Sequence, residues 1–80
     1  MRLDKFLKVS RLIKRRTVAK EACDGGRIAV NGKIAKASTE LKVGDLLTLT
    51  FGEKQSKFKV LALMETTKKE GANELFEIVQ

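Results

Sequence analysis

Apolar residues near the start of the chain follow the spacing of a helix. From Arg2 to about Ser10, residues three or four apart share one face, and this predicted inner face is formed by Leu3, Phe6, Leu7 and Ser10. The opposite face is expected to carry Asp4, Lys8 and Arg11. Such a short helix does not persist alone, so packing against the rest of the chain must hold it.

A second short helix is predicted from about Val18 to Asp24. Thr17 is the expected N-cap, because its hydroxyl can accept a hydrogen bond from a backbone N–H of the first turn. Val18 and Ala22 are expected to face inwards. Gly25-Gly26 supplies a left-handed stop at the end of the helix.

The rest of the chain changes to the two-residue alternation of β-strands. Asn31-Gly32 lies between two apolar triplets, residues 28–30 and 33–35, and predicts a hairpin with a type I′ turn. Gly44-Asp45 predicts a further turn, and later strands are expected around residues 47–51, 58–62 and 75–79, with polar loops at 52–56 and 65–73. The predicted fold class is α+β, with two short N-terminal helices packed on a small antiparallel sheet of about four to five strands.

Charge is distributed unevenly along the 80 residues. The chain carries a net charge of +7, and nearly all of that excess lies in residues 1–20, where eight cations accompany a single acid. In residues 37–80 the acids outnumber the cations by one. A solvated surface mixes its charges, whereas segregation on this scale is typical of a protein that binds a polyanion.

Composition excludes several kinds of chemistry. The chain has no histidine and one cysteine, so zinc sites and histidine-based catalysis are excluded, and its carboxylates are scattered singly. We therefore expect no enzymatic activity and no cofactor, and we interpret Cys23 as a small packing residue. No apolar run is long enough for a membrane span or a signal peptide, which predicts a cytoplasmic protein. Nothing in the sequence indicates more than a monomer.

Four separate motifs carry a resemblance to a known family. Arg2-Leu3-Asp4, Arg16-Thr17, the segment from Gly26 to Gly32, and Gly44-Asp45 resemble the recurrent pattern of the S4 domain, an RNA-binding domain. The resemblance covers about residues 1–49 and implies a single domain over 1–80, in which residues 50–80 add strands to the S4 core. With the basic cluster, it predicts an RNA-binding surface formed by Arg2, Asp4, Lys5, Lys8, Arg11, Lys14, Arg15, Arg16, Lys20, Arg27, Asn31 and Lys33.

Over its whole length the chain also resembles the RqcP family of bacterial ribosome-quality-control factors, and it is similar to the heat-shock S4 proteins of the large ribosomal subunit. The RqcP resemblance implies binding to 50S subunits obstructed by peptidyl-tRNA, through contacts with 23S rRNA and with the tRNA. It also implies cooperation with RqcH in adding alanine residues to the C-terminus of the stalled nascent chain. From the short apolar runs, no membrane association is expected.

Several alternatives stay open at this point. The chain could be an accessory of an RNA-modifying enzyme, a 50S-recycling factor of the heat-shock type, or a general binder of nucleic acid or anionic membrane surfaces that acts through charge alone. Asp4 could stabilise the start of the first helix, pair with Lys8, or orient Arg2 towards RNA. Asn31 is first of all a turn residue.

Overall fold

The computed structural model describes residues 1–64 and 75–79 and contains two helices followed by a five-stranded antiparallel sheet. The elements are α1 (Leu3–Val9), α2 (Arg16–Asp24), β1 (Ile28–Val30), β2 (Lys33–Ile34), β3 (Leu46–Phe51), β4 (Lys54–Val60) and β5 (Phe76–Val79). The strands lie in the order β2-β1-β3-β4-β5. The predicted α+β class is confirmed, while the loop predicted at 65–73 lies outside the described residues.

Helix α1 follows its predicted apolar face. Leu3, Phe6 and Leu7 are fully buried, and Ser10 is buried at the C-cap, where its hydroxyl donates to the Leu7 carbonyl. The prediction for Asp4 is wrong, because this residue is buried rather than solvent-facing. Its carboxylate accepts from Arg2 and from the Lys5 N–H nearby and also from Arg16, twelve residues away, which the spacing of α1 alone does not reveal.

Helix α2 begins earlier than predicted. Arg15 is its N-cap and makes no side-chain capping bond, so the assignment of Thr17 as the cap is wrong. Val18 faces outwards, with 44% of its surface exposed, which contradicts its predicted inward position. The buried stripe is instead Ala19, Ala22 and Cys23, at the i, i+3, i+4 spacing of one face. Gly26 has a φ of 77°, so the predicted left-handed stop is confirmed.

The predicted β1–β2 hairpin is confirmed. Asn31 and Gly32 have φ values of 52° and 84°, which is the left-handed pair that a type I′ turn requires. The predicted polar loop at 52–56 is wrong, because Phe51 pairs directly with Lys54 across a two-residue turn and β4 runs on to Val60. Gly52 and Glu53 form the turn, and Lys54, Gln55 and Ser56 belong to an exposed strand rather than to a loop.

The core lies between the helices and one face of the sheet. Ile28, Leu47, Leu49 and Val60 are buried on that inner face. The start of the chain is held against the segment 37–41 by backbone hydrogen bonds, since the Leu3 N–H donates to the Thr39 carbonyl and the Leu41 N–H donates to the Met1 carbonyl. These bonds fix the position of residue 2, between the two attachment points.

Cys23 gives the fold a pH dependence in the alkaline range. Burial raises the pKa of its thiol to about 11, and the nearby Asp4 and Asp24 carboxylates act in the same direction. Because the pKa is raised above its ordinary value of 9.0, the unfolded chain loses this proton first. The contribution to the free energy of unfolding is complete below pH 9 and is lost as the pH rises towards 11. When urea unfolding is measured at several pH values, the free energy of unfolding should fall more steeply between pH 9 and 11 for wild type than for Cys23→Ala. Parallel pH profiles would contradict the prediction.

Candidate nucleic-acid interface

A buried carboxylate links two arginines from different elements. Arg2 donates from Nε to Asp4 Oδ1 at 3.2 Å and from Nη2 to Oδ2 at 3.3 Å. Arg16 donates from Nε to the same Oδ2 at 3.5 Å. The Asp4 side chain is only 3% exposed, whereas the side chains of Arg2 and Arg16 are 46% and 51% exposed. One carboxylate therefore holds two half-exposed guanidinium groups at the surface.

The hydrogen bonds leave these arginines able to bind an anion. Arg16 uses only its Nε towards Asp4, and within the described part of the chain its two terminal nitrogens donate to no residue. A guanidinium group carries five N–H donors in a rigid plane, so the outward nitrogens remain available for a phosphate. Asp4 also accepts the Lys5 backbone N–H at 2.8 Å, which anchors the carboxylate to its own helix.

Further cations surround this Arg2–Asp4–Arg16 cluster. Across residues 1–64 and 75–79, five more of the predicted RNA contacts are exposed and form no ion pair: Lys8, Arg11, Lys14, Arg15 and Lys20. Lys5 is half-buried on α1. The basic surface thus extends from the N-terminus over α1 and the 10–15 connection to the first two turns of α2.

Three predicted contacts lie apart from this surface. Arg27 follows α2, and its backbone N–H donates to the Ala22 carbonyl, so it sits at the opposite end of that nine-residue helix from Arg16. The length of the helix separates the two ends by about 13 Å. Asn31 and Lys33 are exposed on the β1–β2 hairpin. These residues flank the basic surface rather than join the cluster.

The side chain of Asn31 is already engaged within the fold. Its Nδ2 donates to Asp45 Oδ1 at 3.1 Å, and its Oδ1 accepts the Leu46 backbone N–H at 3.0 Å. The amide therefore ties the hairpin to the Gly44-Asp45 turn, whose predicted position is confirmed by the bond from the Asp45 N–H to the Lys42 carbonyl.

Replacing Asn31 with glycine should separate the structural role of this residue from RNA binding. Glycine keeps the left-handed backbone but removes both side-chain hydrogen bonds, so we expect a loss of about 1–2 kcal/mol in the free energy of unfolding. Chemical denaturation measures this loss. Affinity for RNA should change by less than about threefold, because the Asn31 side chain lies away from the basic surface. A larger loss of affinity at unchanged stability would show that Asn31 contacts RNA.

Arg11 occupies a backbone conformation that its residue type disfavours. Its φ is 63°, and every other residue in the described part of the chain with a positive φ is a glycine or Asn31. A left-handed conformation costs an ordinary residue about 1–2 kcal/mol. Arg11 is exposed and follows the C-cap of α1, where glycine is the common choice. The position thus carries a cation where stability alone would favour glycine.

Arg11→Gly should therefore stabilise the fold and weaken RNA binding at the same time. Relief of the strain is expected to raise the melting temperature by about 4–8 °C. Loss of one phosphate contact should lower the steepness of the salt dependence of binding by about one unit. Arg11→Lys is the matched control, because it retains both the charge and the strain. A stabilised Arg11→Gly variant with wild-type affinity would exclude Arg11 from the interface.

Glu40 belongs to this region and was not predicted. Its carboxylate accepts from the N-terminal amine at 2.8 Å, and its backbone pairs with Arg2. No local pattern indicates this, because residues 1–2 and 40 meet only through the tertiary fold. The sequence signals for Arg2 and Arg16 were their charge and their place in the family motif.

The sequence of this chain is similar to those of known proteins with an S4 domain. The S4 domain family matches residues 1–47. A Streptococcus pneumoniae protein named RQC P-site tRNA stabilizing factor is 60% identical over 79 residues, which cover 99% of this chain and 90% of that protein. The protein of the same name from Bacillus subtilis is 59% identical over 80 residues, which cover 100% of this chain and 93% of the relative. The chain belongs to the RQC P-site tRNA stabilizing factor family. Its S4 domain includes the whole Arg2–Asp4–Arg16 cluster.

A solved structure supports the fold of this RQC P-site tRNA stabilizing factor family member. The trimeric structure of Vibrio cholerae Heat Shock Protein 15 matches with a TM-score of 0.91 at 28% sequence identity, over 99% of this chain and 81% of the other. The predicted similarity to heat-shock S4 proteins is therefore confirmed. Among residues 1–64 and 75–79, no helix has both the length and the apolar character needed to cross a bilayer.

Proposed function

We propose that this protein is a non-catalytic RNA-binding factor of ribosome-associated quality control. It binds 50S subunits obstructed by peptidyl-tRNA, contacts 23S rRNA and the tRNA, and supports RqcH-dependent addition of alanine to the stalled nascent chain. The names of the relatives, which refer to stabilisation of P-site tRNA, support the part of this proposal that concerns tRNA. We further propose that it acts as a single domain in the cytoplasm.

The observation that carries the proposal is the Arg2–Asp4–Arg16 cluster. A buried acid that only stabilised the fold would need no more than one cation, whereas Asp4 presents two guanidinium groups at the surface. The surrounding unpaired cations add the electrostatic attraction that phosphate-rich RNA requires. Structured RNA is recognised mainly through its shape and backbone, which suits a surface of lysine and arginine side chains.

In the proposed mechanism, one small domain contacts two RNA molecules at the same time. The protein measures 29 × 27 × 21 Å, so it can lie between neighbouring RNA elements and touch both. Holding rRNA and tRNA in a fixed relation keeps the peptidyl-tRNA in place while successive alanines are added. No proton transfer or covalent step by the protein is needed for this role.

A second candidate function is that of a heat-shock type factor that recycles 50S subunits, which the similarity to Vibrio cholerae Heat Shock Protein 15 favours. Tail synthesis distinguishes the two roles. In a reconstituted reaction containing obstructed 50S subunits, RqcH and charged alanyl-tRNA, the quality-control role predicts longer alanine tails when the protein is present. Release of the peptidyl-tRNA without longer tails would instead support recycling and overturn the proposal.

Binding through charge alone makes a different prediction. A purely electrostatic binder has equal affinity for structured RNA, duplex DNA and anionic vesicles at the same ionic strength. We expect this protein to prefer structured RNA, because the two arginines are fixed relative to each other. Equal affinity for all three polyanions across a salt series would contradict the proposed site.

A further inference from the structure

The outer face of the sheet carries a second set of cations. The helices cover the inner face, where Leu47 lies opposite Phe58. On the outer face Lys57 lies opposite Thr48 and Lys59 lies opposite Leu46, so both lysines point away from the helical layer. Both are exposed, and neither forms an ion pair within residues 1–64 and 75–79.

These two lysines form a short basic row. They are two residues apart on β4, which places their Cα atoms about 7 Å apart on one face of the strand. Their neighbours on β3 are Thr48 and Leu46, so no acid on that side neutralises them. On the other side Val79 lies opposite Lys57, and Glu77 lies opposite Lys59. Among the described strand neighbours, Lys57 therefore has no acid directly opposite it and can present its ammonium group to a phosphate backbone.

We propose that Lys57 and Lys59 contact a second RNA, the peptidyl-tRNA, while the Arg2–Asp4–Arg16 surface contacts rRNA. The inference rests on the proposed function, in which one small domain touches two RNA molecules. The two basic surfaces belong to different layers of the fold, one on the helices and one on the outer face of β4. A single continuous surface would place both RNA molecules on the same side, whereas two surfaces on different layers let the domain sit between them.

Amine acylation of the intact protein tests this assignment directly. Lysine labelling, read by mass spectrometry, is compared for the free protein, its complex with vacant 50S subunits, and its complex with 50S subunits that carry peptidyl-tRNA. Lys14 and Lys20 should be protected in both complexes. Lys57 and Lys59 should be protected about fivefold or more only when the tRNA is present, as phosphate contact covers their amines. Equal labelling of Lys57 and Lys59 in the two complexes would overturn the inference, and so would protection that requires RqcH rather than tRNA.

A variant in which both lysine charges are removed provides a second test. Lys57→Gln/Lys59→Gln should bind vacant 50S subunits within about twofold of wild type, and it should lose about fivefold or more of the preference for tRNA-bearing subunits. Lys42→Gln/Lys54→Gln removes the same charge elsewhere on the surface and should retain that preference. Unchanged preference in the first variant, or equal losses in both variants, would overturn the inference. Absence of any preference in wild type would instead refute the proposed function, so the two failures are distinguishable.

Discussion

Asp4→Asn should weaken RNA binding about tenfold or more, although the substitution raises the net charge of a basic protein. Asparagine has the same shape and can still accept the Lys5 backbone N–H, so the helix should remain intact. It loses the charge that holds Arg2 and Arg16, and the two side chains become free to move. Ordering each of them again on binding costs about 0.5–1.5 kcal/mol. The sum corresponds to the predicted loss of affinity, which a fluorescence binding titration measures.

The sign of the effect makes this prediction decisive. If net charge alone governed binding, removal of an acid would strengthen it. Glu21→Gln is the matched control, because Glu21 is exposed on α2 and its carboxylate has no partner among the residues described. This control should bind RNA as well as wild type or slightly better. Equal gains in affinity for the two variants would show that Asp4 does not position the arginines.

Combined loss of both arginine charges should have the largest effect on affinity. Each charge-assisted hydrogen bond to phosphate contributes about 1.5–3 kcal/mol, so Arg2→Gln/Arg16→Gln is expected to lower affinity by about a hundredfold or more. The salt dependence of binding should also become shallower by about two units, because two phosphate contacts are lost. Binding titrations at several salt concentrations measure both quantities, and thermal unfolding verifies that the variant is folded.

Lys42→Gln/Lys54→Gln serves as the control for this variant, since it removes two positive charges outside the basic surface. Its affinity should fall by no more than about threefold, through the weaker long-range field alone. A comparable loss in both double variants would mean that total charge, rather than the cluster, determines binding. The arginine variant should be compared with single variants, because residues that share Asp4 are not expected to act additively.

Local patterns predicted much of the fold. The spacing of Leu3, Phe6 and Leu7 defined α1, and Asn31-Gly32 defined the hairpin, because each signal depends only on near neighbours. The extent of β4 was not predicted from the sequence. Its residues from Lys54 to Lys57 are polar and exposed, so they lack the apolar alternation that marks a half-buried strand.

The charge pattern predicts a site on α1, α2 and the connection between them, but the arrangement within it depends on long-range contacts. Asp4 becomes buried because α2 brings Arg16 beside it and the segment 37–41 holds Arg2 in place. Helical spacing could not distinguish this from a solvent-facing acid. The outward position of Val18 was missed for a related reason, because packing of Ala19 and Cys23 in the core decides which face of α2 points inwards.

Co-sedimentation with 50S subunits measures whether the protein recognises subunits that carry peptidyl-tRNA. Purified protein is mixed with vacant subunits or with subunits that carry peptidyl-tRNA, and the bound fraction is measured across a salt series. We expect binding that persists at physiological salt, a clear preference for the tRNA-bearing subunits, and loss of binding in Arg2→Gln/Arg16→Gln. Equal binding to both kinds of subunit would contradict the proposed function, and unchanged binding of that variant would contradict the proposed site.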